Sequence, residues 1–187
     1  IMHYVSNTLA TSLLLFTILF YVFIYTFWLK RSTSLNIVIG GAAGAIPPII
    51  GWVTVVPEIN YLPVMMFLII FFWTPPHFWA LAIHRIDDYS KADVPMLPVQ
   101  KGVPFTKQHI LLYTVLLFVC TLLPYATELF NEIYLVGAIT LGLIFLYYSY
   151  QLLRDGTNSK AMPTFAYSIV YLGALFSVML IDFYIYL

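Results

Sequence analysis

FFWTPPHFWALAIHRIDDYSKADVPMLPVQKG, residues 71–102, begins as an apolar run and ends as a dense ionic one. From His84 to Gly102 it gathers three of the chain's eight acidic residues and three of its eight basic ones. An apolar segment of helix length that stops abruptly in charge is the pattern of a membrane span meeting an aqueous connection.

Outward from this stretch the pattern repeats. Hydrophobic residues make up 62% of the 187 and charged residues 9%, outside the range of soluble domains. Six apolar segments, near residues 7–29, 36–56, 61–84, 109–127, 132–153 and 164–186, are each long enough to cross about 30 Å of hydrocarbon, which takes roughly 20 helical residues. The runs are continuously apolar rather than alternating, so a closed barrel is excluded and helices must satisfy the backbone. The expected fold class is all-α, an integral membrane helical bundle, with residues 1–187 forming a single transmembrane domain in the lipid bilayer.

Charge sorts the connections. Lys30 and Arg31 follow the first span, Arg85, Lys91, Lys101 and Lys107 the third, and Arg154 and Lys160 the fifth, which accounts for all eight basic residues. These connections are therefore predicted to face the cytoplasm, or the mitochondrial matrix, and both chain ends the other side. Zero net charge offers no electrostatic attraction to nucleic acid. The single cysteine, Cys120, lies in an apolar run and reads as a packing residue.

Several spans carry helix breakers. Gly40 and Gly44 form a small-xxx-small spacing ahead of Pro47–Pro48, Pro75–Pro76 interrupt the third span, and Pro124 sits late in the fourth. Irregular backbone at membrane depth is tolerated where it is buried in protein or lines a cavity, so a pocket beside the second and third spans is expected.

The ionic connection could carry chemistry. Asp87, Asp88 and Asp93 are hard oxygen ligands of the kind Mg²⁺ takes, and Arg85, Lys91 and Lys101 could neutralise a diphosphate beside them. A solvated loop that merely satisfies water would also use these residues. If the third span continued into the loop, His77, His84 and Asp88 would fall within about 40° of one another at ~100° per residue. Either histidine could instead hydrogen-bond a neighbouring helix. Lys30 and Arg31 lie ahead of hydroxyls and Asn36 at the start of the next helix, where phosphate binds favourably, although snorkelling to the interface accounts for them equally. Trp28, Trp52, Trp73 and Trp79 could anchor at interfaces or line an isoprenoid channel. No zinc spacing of Cys and His, phosphate loop or nucleophile elbow occurs.

KRSTSLNIVIGGAAGAIPPIIGW (residues 30–52), the quoted stretch and TKQHILLY (residues 106–113) together closely resemble the haem O synthase (protohaem IX farnesyltransferase) family of the UbiA superfamily of intramembrane prenyltransferases. The resemblance implies a nine-helix bundle around a cavity in which the farnesyl group of farnesyl diphosphate passes to a vinyl group of haem B. It implies Mg²⁺ held by two aspartate-rich motifs, a bacterial plasma membrane or mitochondrial inner membrane, and haem A synthase or terminal oxidase assembly factors as partners. Asp88–Tyr89 match the second aspartate-rich motif most closely; Asp87 falls where members vary, and Asp93 where a small residue is common. Lys30 and Arg31 match the family's basic pair, and His77 its proline-histidine motif. Asn36, His84 and Arg85 join the substrate side on the same reading, and Lys91 assists Asp87 and Asp88. Nothing like the first aspartate-rich motif precedes Ile1, so the chain is expected to hold six of nine helices and to be inactive alone. Two other readings stay open: a UbiA-type enzyme acting on an aromatic quinone precursor, and a non-catalytic membrane haem-handling or transport protein.

Overall fold

The computed structural model describes residues 6–187. Asn7 opens α1 (Thr8–Ser32), its side chain accepting from the Ala10 N–H at 2.9 Å, the usual device for an orphan donor at a helix start. Next come α2 (Asn36–Ala45), α3 (Pro47–Val55), α4 (Tyr61–His84), α5 (Ile86–Lys91) and α6 (Leu97–Lys101). The chain closes with α7 (Val103–Ala126), α8 (Glu132–Arg154) and α9 (Ala161–Tyr186). With α2 and α3 taken as one kinked span, six helical segments among the described residues are long and apolar enough to cross a membrane. The chain is an all-helical membrane protein, as its composition predicts.

The breakers act unequally. Pro47 and Pro48 end α2 and start α3, because proline at a first helical turn gives up only a donor that is unpaired there anyway. Pro75 and Pro76 leave α4 unbroken, contrary to expectation; both are buried in protein, the setting in which missing backbone hydrogen bonds at membrane depth are tolerated. The fourth span begins at Val103 rather than near 109, since Gly102, at φ +85°, turns the chain and Pro104 falls in the new first turn. In α1, Phe20–Leu29 wind as a π-helix, with the Lys30 N–H bonded to the Tyr25 carbonyl. No glycine or proline in FYVFIYTFWL announces it.

Helices α4, α7, α8 and α9 form a closed ring of four, each packed on two others; α2 and α3 lie on α4 outside the ring, and α1 packs on α2 and α3. Lipid removes the hydrophobic drive between helices, so close backbone approach and cross-helix hydrogen bonds must hold the ring. The Phe118 ring covers Gly142, leaving no room for a Cβ, and a Cβ at Gly137 would stand 2.7 Å from Val178. Thr114 and Ser149 hydroxyls meet at 2.9 Å, and the Tyr134 hydroxyl donates to the Thr121 carbonyl at 2.7 Å. The ring is thus a rigid wall against which α1 and α2 enclose a separate groove.

Candidate active site

The connection between α4 and α7 is built from two short helices. Arg85 leaves helical geometry at φ −108° and ψ 32°, ending α4 and restarting the chain as α5 with Asp87 and Asp88 in its first turn. Asp93 adopts a left-handed φ of 52°, and the Val94 N–H returns to the Tyr89 carbonyl at 3.1 Å. This turn folds the connection back over the ends of α1 and α2.

There it encloses a cavity of about 440 Å³ walled by Lys30, Asn36, Arg85, Asp88 and Tyr89, together with Tyr25, Ile37 and Phe78. A neighbouring cavity of about 560 Å³ shares Lys30 and adds Arg31. Six of the residues singled out from the sequence therefore converge on one mouth, with three cations against one carboxylate. Such a balance suits a multiply charged anion accompanied by a divalent cation. Asn36 is 1% exposed; its Nδ2 donates to the Lys30 carbonyl at 3.2 Å, while its Oδ1 has no partner. A buried, unpaired oxygen in a polar cavity wall is available to a ligand.

The other expected residues stand elsewhere. Asp87, Lys91, Asp93 and His84 are exposed and do not wall the mouth. Among the described residues no group of three or more His, Cys, Asp or Glu side chains gathers as a metal cluster, so Asp87, Asp88 and Asp93 do not converge. The shared face of His77, His84 and Asp88 does not form, because Arg85 interrupts the helix. His77 is locked in packing: its ring stacks on Trp73 at 4.2 Å and Phe165 at 4.6 Å, and its Nδ1 meets the Ser168 hydroxyl at 2.7 Å. Lys107, grouped by sequence with the loop cations, is only 6% exposed and donates to the Asp155 carbonyl.

Beneath the mouth the wall turns apolar. Tyr25, Ile37 and Phe78 also border a cavity of about 230 Å³, lined further by Tyr21, Gly40, Gly41, Gly44 and Trp73. Tyr21 and Gly44 border in turn a cavity of about 250 Å³ reaching Thr17 and Ile18. The Tyr25 ring lies directly on Gly40, where a Cβ would collide with it, so this glycine lets α1 approach α2 closely. Of the four tryptophans, Trp73 lines the channel, whereas Trp79 is buried in the core. Tyr21, Tyr25 and Phe78 were not singled out from the sequence, since aromatic residues are spread along every span.

A charged mouth over a narrow apolar channel can hold an amphiphile by both ends. Residues 1–178 match the UbiA prenyltransferase family. The chain is 54% identical over 184 residues to the protoheme IX farnesyltransferase of Alcanivorax borkumensis, covering 98% of this chain and 61% of that protein. It is 55% identical over 179 residues to the protein of the same name from Saccharophagus degradans, covering 96% and 59%. With that from Methylococcus capsulatus the identity is 52% over 181 residues, covering 97% and 61%. The chain thus spans about 60% of the length of these curated relatives. No solved structure matches it. With nearly its whole length matched to the family, and a site shaped for an amphiphilic anion, the chain belongs to the UbiA prenyltransferase family.

Proposed function

We propose that the chain contributes the diphosphate mouth and prenyl channel of a haem O synthase, which moves the farnesyl group of farnesyl diphosphate onto a vinyl group of haem B. The observation that carries this reading is the shared wall of Tyr25, Ile37 and Phe78, along which the cationic mouth and the apolar channel adjoin. The names of the relatives support the same reaction. Residues 1–187 act as one transmembrane domain in a bacterial inner membrane, with the mouth toward the cytoplasm; the bacterial relatives and the basic connections support that placement.

In this reading Lys30, Arg31 and Arg85 hold the diphosphate oxygens. The bond between farnesyl C1 and oxygen breaks, and its electron pair leaves with the diphosphate. The rings of Tyr25 and Phe78, at the junction of mouth and channel, face the allylic cation and lower its energy through their π systems. The vinyl π electrons form the new bond to C1, and water captures the resulting cation beside the haem, losing a proton to leave the hydroxyl of haem O. The apolar walls limit earlier quenching by water.

The family's Mg²⁺ fits this mouth. Asp88 and the unpaired Asn36 Oδ1 are hard oxygen donors that would hold it with substrate phosphate oxygens, since Mg²⁺ commonly takes one or two carboxylates and completes its shell with phosphate and water. When bound, it offsets charge on the departing diphosphate. Asp87, Asp93 and Lys91 would act from outside the mouth.

Asp88→Asn in the full-length protein tests the assignment. Haem O formation, followed by chromatography, should fall about a hundredfold or more while the haem B absorption on binding persists; near-normal turnover would remove Asp88 from its role. Offering the unsubstituted protein haem B beside an aromatic quinone precursor separates the acceptors, and prenylation of the aromatic compound alone would overturn the haem reading.

A further inference from the structure

Gly44 stands where the apolar channel passes from one cavity to the next. It borders both the 230 Å³ and the 250 Å³ cavities, and with Tyr21 it alone is common to the two linings. It is also unlike the other glycines of α2. A Cβ at Gly40 would collide with Tyr25, and one at Gly41 would stand 3.0 Å from Thr74, whereas nothing lies within 4 Å of a Cβ at Gly44. A Cβ added there meets no protein atom within 4 Å, at a residue that lines both cavities.

The dimensions of α2 make this position a ruler. One helical turn advances about 5.4 Å, and one isoprene unit, four chain bonds of about 1.5 Å in zigzag, advances about 5 Å. Ile37, at the mouth end, and Gly44 are seven residues apart, or about 10.5 Å along the axis. Two isoprene units, about 10 Å, therefore end just short of Gly44, and a third passes it into the cavity beside Thr17 and Ile18.

Building on the prenyl channel proposed above, we propose that Gly44 sets the chain length of the prenyl diphosphate: its missing side chain admits the third isoprene unit, so that a fifteen-carbon chain fills the channel and a ten-carbon chain stops short of Gly44. Gly44 is a specificity-determining position, and the end of the chain remote from the diphosphate is what it reads.

The test uses the full-length protein in membranes with geranyl, farnesyl and geranylgeranyl diphosphates and a fixed acceptor. Gly44→Leu and Gly44→Phe should lower transfer of the fifteen-carbon group about tenfold or more while leaving the ten-carbon group within about twofold. Gly51→Phe, at another glycine with open space around its Cβ but no place in the channel, should leave both unchanged. A binding readout that needs no turnover uses Gly44→Cys, since the native Cys120 is buried: farnesyl diphosphate should slow maleimide labelling several-fold and geranyl diphosphate should not. An unaltered preference in both bulky variants, or equal protection by the two diphosphates, overturns the assignment of Gly44. If the unsubstituted protein transferred no prenyl group at all, the function proposed above would fail first, and the two failures are distinguishable.

Discussion

Asp182 of α9 and Lys107 of α7 hold opposite ends of the same helix, α8. The Asp182 carboxylate accepts from the backbone N–H of Asn131 at 2.8 Å and of Tyr134 at 3.0 Å, while the Lys107 ammonium donates to the Asp155 carbonyl at the far end. Both side chains are buried, at 0% and 6% exposure. An anion at the start of a helix and a cation at its end is the arrangement that the helix dipole favours.

Removing the Asp182 carboxylate should therefore cost stability rather than chemistry. Asp182→Ala leaves two donors of the first turn of α8 unpaired in an apolar setting, an expected loss of about 2–4 kcal/mol. Asp182→Asn keeps one acceptor oxygen and should lose about half as much. Thermal unfolding in detergent measures both; an unchanged melting temperature in Asp182→Ala would show that water replaces the carboxylate.

His77 should behave as a packing residue. Its ring lies between Trp73 and Phe165, and the Ser168 hydroxyl holds its Nδ1. His77→Ala is expected to lower stability by about 2–3 kcal/mol, and Ser168→Ala by about 1 kcal/mol. The haem absorption spectrum should be unaltered in either variant. A shifted or lost haem band in a folded His77→Ala protein would make the imidazole a haem contact instead.

The loop that follows α8 should loosen in acid. Hydrogen bonds from the Lys160 N–H and from the Thr157 hydroxyl and N–H hold the Asp155 carboxyl well below the usual carboxylate range, with the Ser159 hydroxyl adding to them. A depressed folded-state value means the stabilisation is complete above the unfolded value, near pH 4, and is lost as the pH falls below it. The protection of amides 156–160, taken as their exchange rate relative to the intrinsic rate at the same pH, should fall as the pH drops from about 4 to about 2. Asp155→Asn should exchange quickly at every pH in that range; identical pH profiles for both proteins would sink the assignment.

Much of the architecture was legible because lipid imposes a simple rule. A segment crossing hydrocarbon must be long, apolar and helical, so α4 was found at its observed limits and α8 within one residue. Charge placement is equally one-dimensional, which is why Lys30, Arg31, Arg85 and Asp88 could be assigned to one aqueous side. Asp87 and Asp88 show where such reasoning stops. They are adjacent, but successive helical residues point about 100° apart, and only the folded path of α5 decides that Asp88 walls the cavity. Asp182 left a readable sign, a lone carboxylate in the apolar run SVMLIDFYIY, since ionic groups within a membrane span demand partners. Its partners lie 48 to 51 residues away, so their identity was not written locally.

By itself the sequence determined the number of spans, their orientation and the grouping of ionic side chains, because those follow from the cost of placing charge and unpaired backbone in hydrocarbon. The tertiary structure alone decided which side chains share a cavity. The π-helical turn of α1 sets Tyr25 on Gly40, and the break at Arg85 lays α5 across the mouth. Both depend on helix contacts between distant segments, which local pattern does not encode.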